Sequence, residues 1–148
     1  MFFFKANAQP YPETVDTLKK LKQRGIKTGI LTDVAYGMDN AFSLENISVL
    51  SDFIHIAITS VDVGYRKPNP AGYLKLLDSL EVSPDNMIFV GDEEKNILGA
   101  KKLGIVSALI NRGRETKDLT VGIFCQRAPE GKFLWVHLEG AYALLHLF

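Results

Sequence analysis

"FVGDEEKNILGA", Phe89–Ala100, runs a short apolar stretch out to a glycine and then sets Asp92, Glu93 and Glu94 side by side. Adjacent carboxylates repel unless solvent or a cation screens them. Two readings of the cluster follow from its chemistry. It is the oxygen-rich edge of a metal site, or it is the acidic first turn of a helix, where the positive end of the dipole favours negative charge. The choice depends on what else the chain brings to the end of this strand.

Working outward, "MIFV" at Met87–Val90 reads as a strand ending at Gly91, and a helix over about Glu94–Leu103 stops at Gly104. "IVSALI", Ile105–Ile110, is the next strand. Upstream, "RKPNPAGYLKLLDSL" opens a helix with Asn69 as N-cap and Pro70 as its first residue, and Tyr73, Leu74, Leu77 and Leu80 form its apolar face. Before it, "FIHIAITS" (Phe53–Ser60) reads as a strand and "YGMDNAFSLENI" as a short helix. "IKTGIL", Ile26–Leu31, reads as a buried strand that reaches Thr32 and Asp33. It follows a helix over Pro12–Arg24 that carries Val15, Leu18 and Leu21 and is stopped by Gly25. Strands alternating with amphipathic helices predict an α/β fold with a parallel sheet, whose ligand crevice lies beyond the carboxyl ends of the strands. Thr32, Asp33 and Asp92 all stand at such ends.

Composition narrows the function. The 148 residues are 47% apolar and 23% charged, ordinary values for a globular domain. A formal net charge of +0 leaves no basic footprint for nucleic acid. Cys125 is the one cysteine, which excludes an internal disulfide framework. No apolar run approaches the ~18 residues of a membrane span, and "MFFFKA" is too short for a secretory leader, so the expected compartment is cytoplasmic. His55, His137 and His146 lie on apolar stretches without ligand spacing and read as core or surface residues. One domain is expected over residues 1–148, with a core at 1–118 and an apolar tail at 119–148. In that tail two strands flank an "APEG" turn as an extra hairpin. An apolar tail or an open sheet edge also offers a route to a homodimer.

Three pieces now stand in order: "GILTD" (Gly29–Asp33), "RKPNP" (Arg66–Pro70) and "VGDEEKN" (Val90–Asn96). The series resembles the haloacid dehalogenase-like (HAD) hydrolases, most of which are magnesium-dependent phosphatases. "PYPETVDTLKKLKQRGIKTGILTD" is similar to their phosphatase-type subgroup, and the likeness spans about Pro10–Arg112, roughly two-thirds of the chain. The resemblance implies a three-layer Rossmann-like α/β domain acting on a small phosphorylated metabolite. It implies that the Thr32 hydroxyl holds a phosphate oxygen. Lys67 would lie against the phosphate as a catalytic and substrate-binding residue, offsetting charge that builds in the transition state. Asp92 would help to hold Mg2+, with Glu93 or Asn96 contributing directly or through water. Asn96 stands where the family usually has a second acid. Asp33 stands where it often has asparagine, so Asp33 either contacts substrate or ends the strand.

The family's nucleophile belongs to an Asp-X-Asp motif, and no aspartate of this chain has another two positions away. Relative to the family, the chain therefore reads as shortened at its N-terminus, without that motif or a cap domain. An impaired or inactive phosphatase is expected, with a non-catalytic phosphate- or partner-binding module as the alternative. The motif's strand is central in such a sheet, so "MFFF", the tail strands or a second copy would have to fill its place. A dinucleotide-binding domain is disfavoured because no Gly-X-Gly-X-X-Gly turn follows the first strand. A phosphoacceptor receiver domain would need its acid, hydroxyl and lysine residues in another order.

Overall fold

Helix α1 (Thr14–Gln23) buries Thr14, Thr17, Leu18 and Leu21 along one side and carries Lys20 and Lys22 at its negative end. It stops where Gly25 takes a φ of +71°, a left-handed conformation that glycine adopts without steric cost. The computed structural model describes residues 14–109, with the backbone of 137–139 and 142–144. After β1 (Gly29–Thr32), Asp39 caps α2 (Asn40–Ile47) by accepting a hydrogen bond from the Phe42 N–H. A 3-10 segment, Ser48–Phe53, leads into β2 (Ile56–Thr59). The one-turn helix α3 (Ser60–Val63) is closed by a reciprocal cap between Thr59 and Asp62. Then come α4 (Pro70–Leu80), β3 (Ile88–Gly91), α5 (Glu94–Lys102) and β4 (Val106–Leu109).

The strands pair in parallel, β1 with β2 from Gly29↔Ile56 to Thr32↔Thr59, and β3 with β4 from Ile88↔Val106 to Gly91↔Leu109. Helix α4 lies on β1 and β2, α5 lies on β3 and β4, and the two helices touch each other. Their shared core includes Leu31, Ile58, Tyr73, Leu77, Phe89 and Ile97. Parallel pairs covered by helices are the α/β architecture that the alternating pattern predicts. Both pairs end on the same cavity, at Thr32 and at Gly91.

Two details of the core differ from the sequence reading: Ser60, read as the end of a strand, opens α3, and one face of α4 is turned. Leu74, assigned to the buried face of α4, is half exposed, and Leu76 is buried in its place. The helix is rotated so that Gly72 faces β1, where an added Cβ would lie 2.7 Å from Leu31 Cδ1. That close approach turns position 76 inward and position 74 outward. In the tail, β5 (His137–Glu139) and β6 (Tyr142–Leu144) form an antiparallel pair. This hairpin lies C-terminal to "APEG", and the turn at 128–131 falls outside the described residues. Cα atoms of β5 come within 8 Å of β3, and those of β6 within 8 Å of α1, so the hairpin lies against the core. Among the described residues no helix is long and apolar enough to cross a membrane.

Candidate functional site

A cavity of about 630 Å³ opens at the carboxyl ends of β1 and β3, a volume typical of small-molecule sites. Its lining brings together all six residues singled out from the sequence: Thr32, Asp33, Lys67, Asp92, Glu93 and Asn96.

The β1 side is built around an ion pair. Thr28 C=O accepts from the His55 N–H, so alternate residues of the strand face β2. Leu31 therefore turns its carbonyl to the opposite edge, where Lys67 Nζ donates to it at 3.0 Å. Asp33, just past the strand, accepts from the backbone N–H of Lys67 at 3.1 Å through Oδ1. Its Oδ2 lies 3.6 Å from the Lys67 ammonium, and the two side chains are only 18% and 13% exposed. Burial lowers the Lys67 pKa from the ordinary lysine value, and the charges of Asp33, Glu93 and Asp92 oppose that shift. Asp33 lines the cavity and stands just past the strand end, the positions that its two expected roles require. Its contact is with Lys67, which it fastens to the strand end. Thr32 lines the cavity, and its hydroxyl has no hydrogen-bond partner among the described residues.

Lys67 is also positioned from behind. The Asn69 side chain caps α4 by accepting from the Ala71 N–H at 3.0 Å, with Pro70 as the first helical residue. Across the gap, Gly99 of α5 meets Pro68 so closely that a Cβ there would sit 2.8 Å from Pro68 Cβ and 2.9 Å from its carbonyl oxygen. The sequence reading did not single out Gly99. Its one signal was a glycine inside a helix, which costs roughly 1 kcal/mol against alanine and so calls for a packing reason.

On the β3 side, Gly91 ends the strand, Glu93 occupies the N-cap position of α5, and Asn96 lies one turn in. Asn96 Nδ2 donates to Glu93 Oε2 at 2.7 Å, and Lys95 Nζ stands 3.3 Å from the same oxygen. Asn96 is 4% exposed, yet its Oδ1 has no hydrogen-bond partner among the described residues. Leaving such an oxygen bare costs about 1–3 kcal/mol. Thr14 Oγ1 and Asn40 Oδ1 share that condition, but neither lines the cavity. Asn96 is held from below by Tyr73, whose hydroxyl donates to the Asn96 carbonyl at 2.9 Å. The Tyr73 ring meets Phe89 edge to face at 5.0 Å. Burial, with the nearby charges of Asp33 and Glu93, pushes the Tyr73 pKa up and keeps the phenol a donor.

Asp92 is exposed at the rim and makes no ion pair with a described residue. Glu94 is a first-turn acid of α5, the bland half of the original alternative. Among the described residues no three His, Cys, Asp or Glu side chains cluster to hold a metal. The oxygens available on this side are carboxylates from Asp92 and Glu93 and the bare amide oxygen of Asn96. His55 serves the fold: its Nδ1 accepts from the Thr28 N–H at 3.0 Å, tying the start of β1 to β2. Lining residues that were not read from the sequence as functional include Lys95, Tyr36 and Arg66, and the Arg66 guanidinium lies 4.6 Å from the centre of the Tyr36 ring.

Comparison with known proteins gives the chain its family. The haloacid dehalogenase-like hydrolase family, described as hydrolases, matches residues 1–104. A phosphatase of Mycobacterium tuberculosis is 30% identical over 115 residues, which are 78% of this chain and 52% of the relative. A glyceraldehyde 3-phosphate phosphatase of Methanopyrus kandleri is 32% identical over 110 residues, 74% of this chain and 46% of the relative. The crystal structure of a HAD phosphatase from Thermococcus onnurineus superposes with a TM-score of 0.64 at 31% identity, covering 74% of this chain and 50% of that one. The chain thus spans about half the length of the curated relatives it matches. With motifs, fold and relatives in agreement, the chain belongs to the haloacid dehalogenase-like hydrolases.

Proposed function

We propose that this chain binds the phosphoryl group of a small phosphorylated metabolite together with Mg2+, as the binding part of a phosphomonoester hydrolase site. The observation that carries the reading is the set of unpartnered oxygens around one cavity, next to a buried lysine. The Thr32 hydroxyl can donate to a phosphate oxygen, and the Lys67 ammonium lies where it offsets the negative charge of the phosphate. Asp92 and the bare Asn96 Oδ1 fit a hard cation that takes oxygen ligands and retains several waters. Glu93 Oε2 is engaged by Asn96 and Lys95, so its part in holding the ion is to orient the amide oxygen. When bound, magnesium supplies charge neutralisation at the phosphoryl oxygens.

The 148 residues contain no Asp-X-Asp pair, the motif that carries the family's nucleophile. Asp33 is tied to Lys67, Glu93 to Asn96 and Lys95, and Asp92 is assigned to the cation. Turnover by this chain is therefore expected to be slow. A second reading, a non-catalytic phosphate-binding module, is favoured by the same absent pair.

Calorimetry with inorganic phosphate and magnesium tests the first claim. Phosphate should bind in the presence of magnesium, and Asp92→Ala should weaken magnesium binding at least about tenfold. Identical titrations for both proteins would remove the cation from the proposal. An assay of p-nitrophenyl phosphate hydrolysis then separates the readings. A magnesium-dependent rate lost in Asp92→Ala supports the hydrolase, and equal background rates in the two proteins leave the binding module.

A further inference from the structure

The cavity's charged residues pair off with a remainder. Lys67 is paired with Asp33 and Lys95 with Glu93. This leaves one cavity acid, Asp92, and one cavity base, Arg66, without an ion-pair partner among the described residues. Asp92 is already assigned to the cation, and Arg66 is unassigned.

Arg66 is exposed, and its side chain meets one ring. Its guanidinium lies 4.6 Å from the centre of the Tyr36 ring, a cation–π contact. Tyr36 itself is 88% exposed, so burial does not explain where this ring stands. Both residues line the same cavity as the side chains that would hold the phosphate. A cation–π contact uses no N–H donor, so the guanidinium keeps the planar fork that matches a carboxylate or phosphate. The cavity's volume, about 630 Å³, also exceeds what a phosphate ion fills and leaves room for the rest of an ester.

We propose that Arg66, braced by Tyr36, is a specificity residue for a second anionic group, so that the favoured ligands are phosphomonoesters that also carry a carboxylate or a further phosphate. This rests on the phosphate-binding reading above and adds to it the substrate class.

The test compares two esters of equal length by calorimetry with the full chain in magnesium: the phosphate monoester of 3-hydroxypropanoate, and propyl phosphate. The carboxylate-bearing ester should bind about tenfold more tightly, the scale of one charge-assisted pair at a partly exposed site. Arg66→Gln should abolish that preference. Arg66→Lys should restore part of it, because charge is kept while the stacked fork is lost. Tyr36→Ala should reduce the preference without removing the charge. Equal affinity of the two esters for the unaltered chain overturns the inference and leaves phosphate binding intact. So does a loss in Arg66→Gln that is as large for propyl phosphate as for the carboxylate ester, which would make Arg66 a general phosphate contact. If neither ester nor inorganic phosphate binds, both the inference and the reading beneath it fall.

Discussion

The two rims of the cavity are built on opposite principles. At the β1 rim, Asp33, Lys67 and the Leu31 carbonyl satisfy one another, and their formal charges cancel. At the β3 rim, Asp92 has no partner among the described residues, and Asn96 buries an amide oxygen with nothing to accept from. A clamp of mutually satisfied groups keeps its geometry whether or not a ligand is present, even beside the unpartnered Thr32 hydroxyl. A rim with bare oxygens reaches its lowest free energy only when something supplies the missing contacts. Substitutions at the first rim should therefore damage folding and binding together, and those at the second should separate the two.

The strongest way to break this contrast is Asp33→Ala. It removes the counter-charge from a largely buried ammonium and the acceptor from the Lys67 N–H. Leaving one member of a buried pair unmatched costs about 3 kcal/mol, which urea unfolding reads as a lower midpoint with an unchanged slope. Phosphate binding should be lost with it. A midpoint like that of the parent chain would show that the β1 rim is not a scaffold.

Gly99→Ala attacks the same rim from behind and sets two effects against each other. Alanine in mid-helix is worth up to about 1 kcal/mol over glycine, while overpacking costs about 1–3 kcal/mol. Here the new Cβ would meet the Pro68 carbonyl oxygen at 2.9 Å, and backbone yields less readily than the end of a side chain. A net loss of about 1 kcal/mol is expected, with weaker phosphate binding because Pro68 adjoins Lys67. A more stable variant with unchanged binding would mean that the loop moves aside freely.

Asn96→Asp sharpens the comparison from the β3 side. It replaces the donor to Glu93 with a second negative charge, so without magnesium it should lower stability by about 1 kcal/mol. Magnesium should raise the melting temperature of this variant more than that of the parent, because a ligand stabilises the folded state in proportion to its affinity. Equal shifts in both proteins would place the cation away from residue 96.

The same contrast marks how far the sequence could be read. The four strands of the core and the longer helices were legible because they carry local signatures, such as Asn69 and Pro70 opening α4 or Gly104 closing α5 at a φ of +77°, whereas the one-turn α3 was not. Thr32 and Asp92 were legible as site candidates because polar residues that follow apolar strands stand at a crevice in this architecture. The clamp between Asp33 and Lys67 was not, since it joins residues 34 apart and depends on which edge of β1 is open. Neither was the meeting of Gly99 with Pro68, which exists only once α5 is packed. Leu74 and Leu76 were exchanged for a similar reason. Both fit a helical stripe with Tyr73 and Leu77, and the choice is made by Gly72 against Leu31, a contact between elements.

The smallest effect expected concerns Lys67 and pH, and it pulls stability and binding in opposite directions. Burial lowers the folded-state pKa of Lys67 below the ordinary value of 10.5. Between that lowered value and 10.5, the unfolded chain holds a proton that the folded chain has released. Stability contributed by this group therefore rises as pH climbs through the window. Below the window the folded protein carries a desolvated ammonium, and its contribution is at its least favourable. Other lysines and tyrosines titrate nearby, so the measurement is the difference in unfolding free energy between the chain and Lys67→Met, followed from pH 8 upward. That difference should move in favour of the parent as pH rises through the window. Phosphate affinity of the parent should fall over the same range, because the charge facing the anion disappears. If stability and affinity fall together, the ammonium is stabilised in the fold more than burial opposes it, and the Asp33 clamp outweighs desolvation.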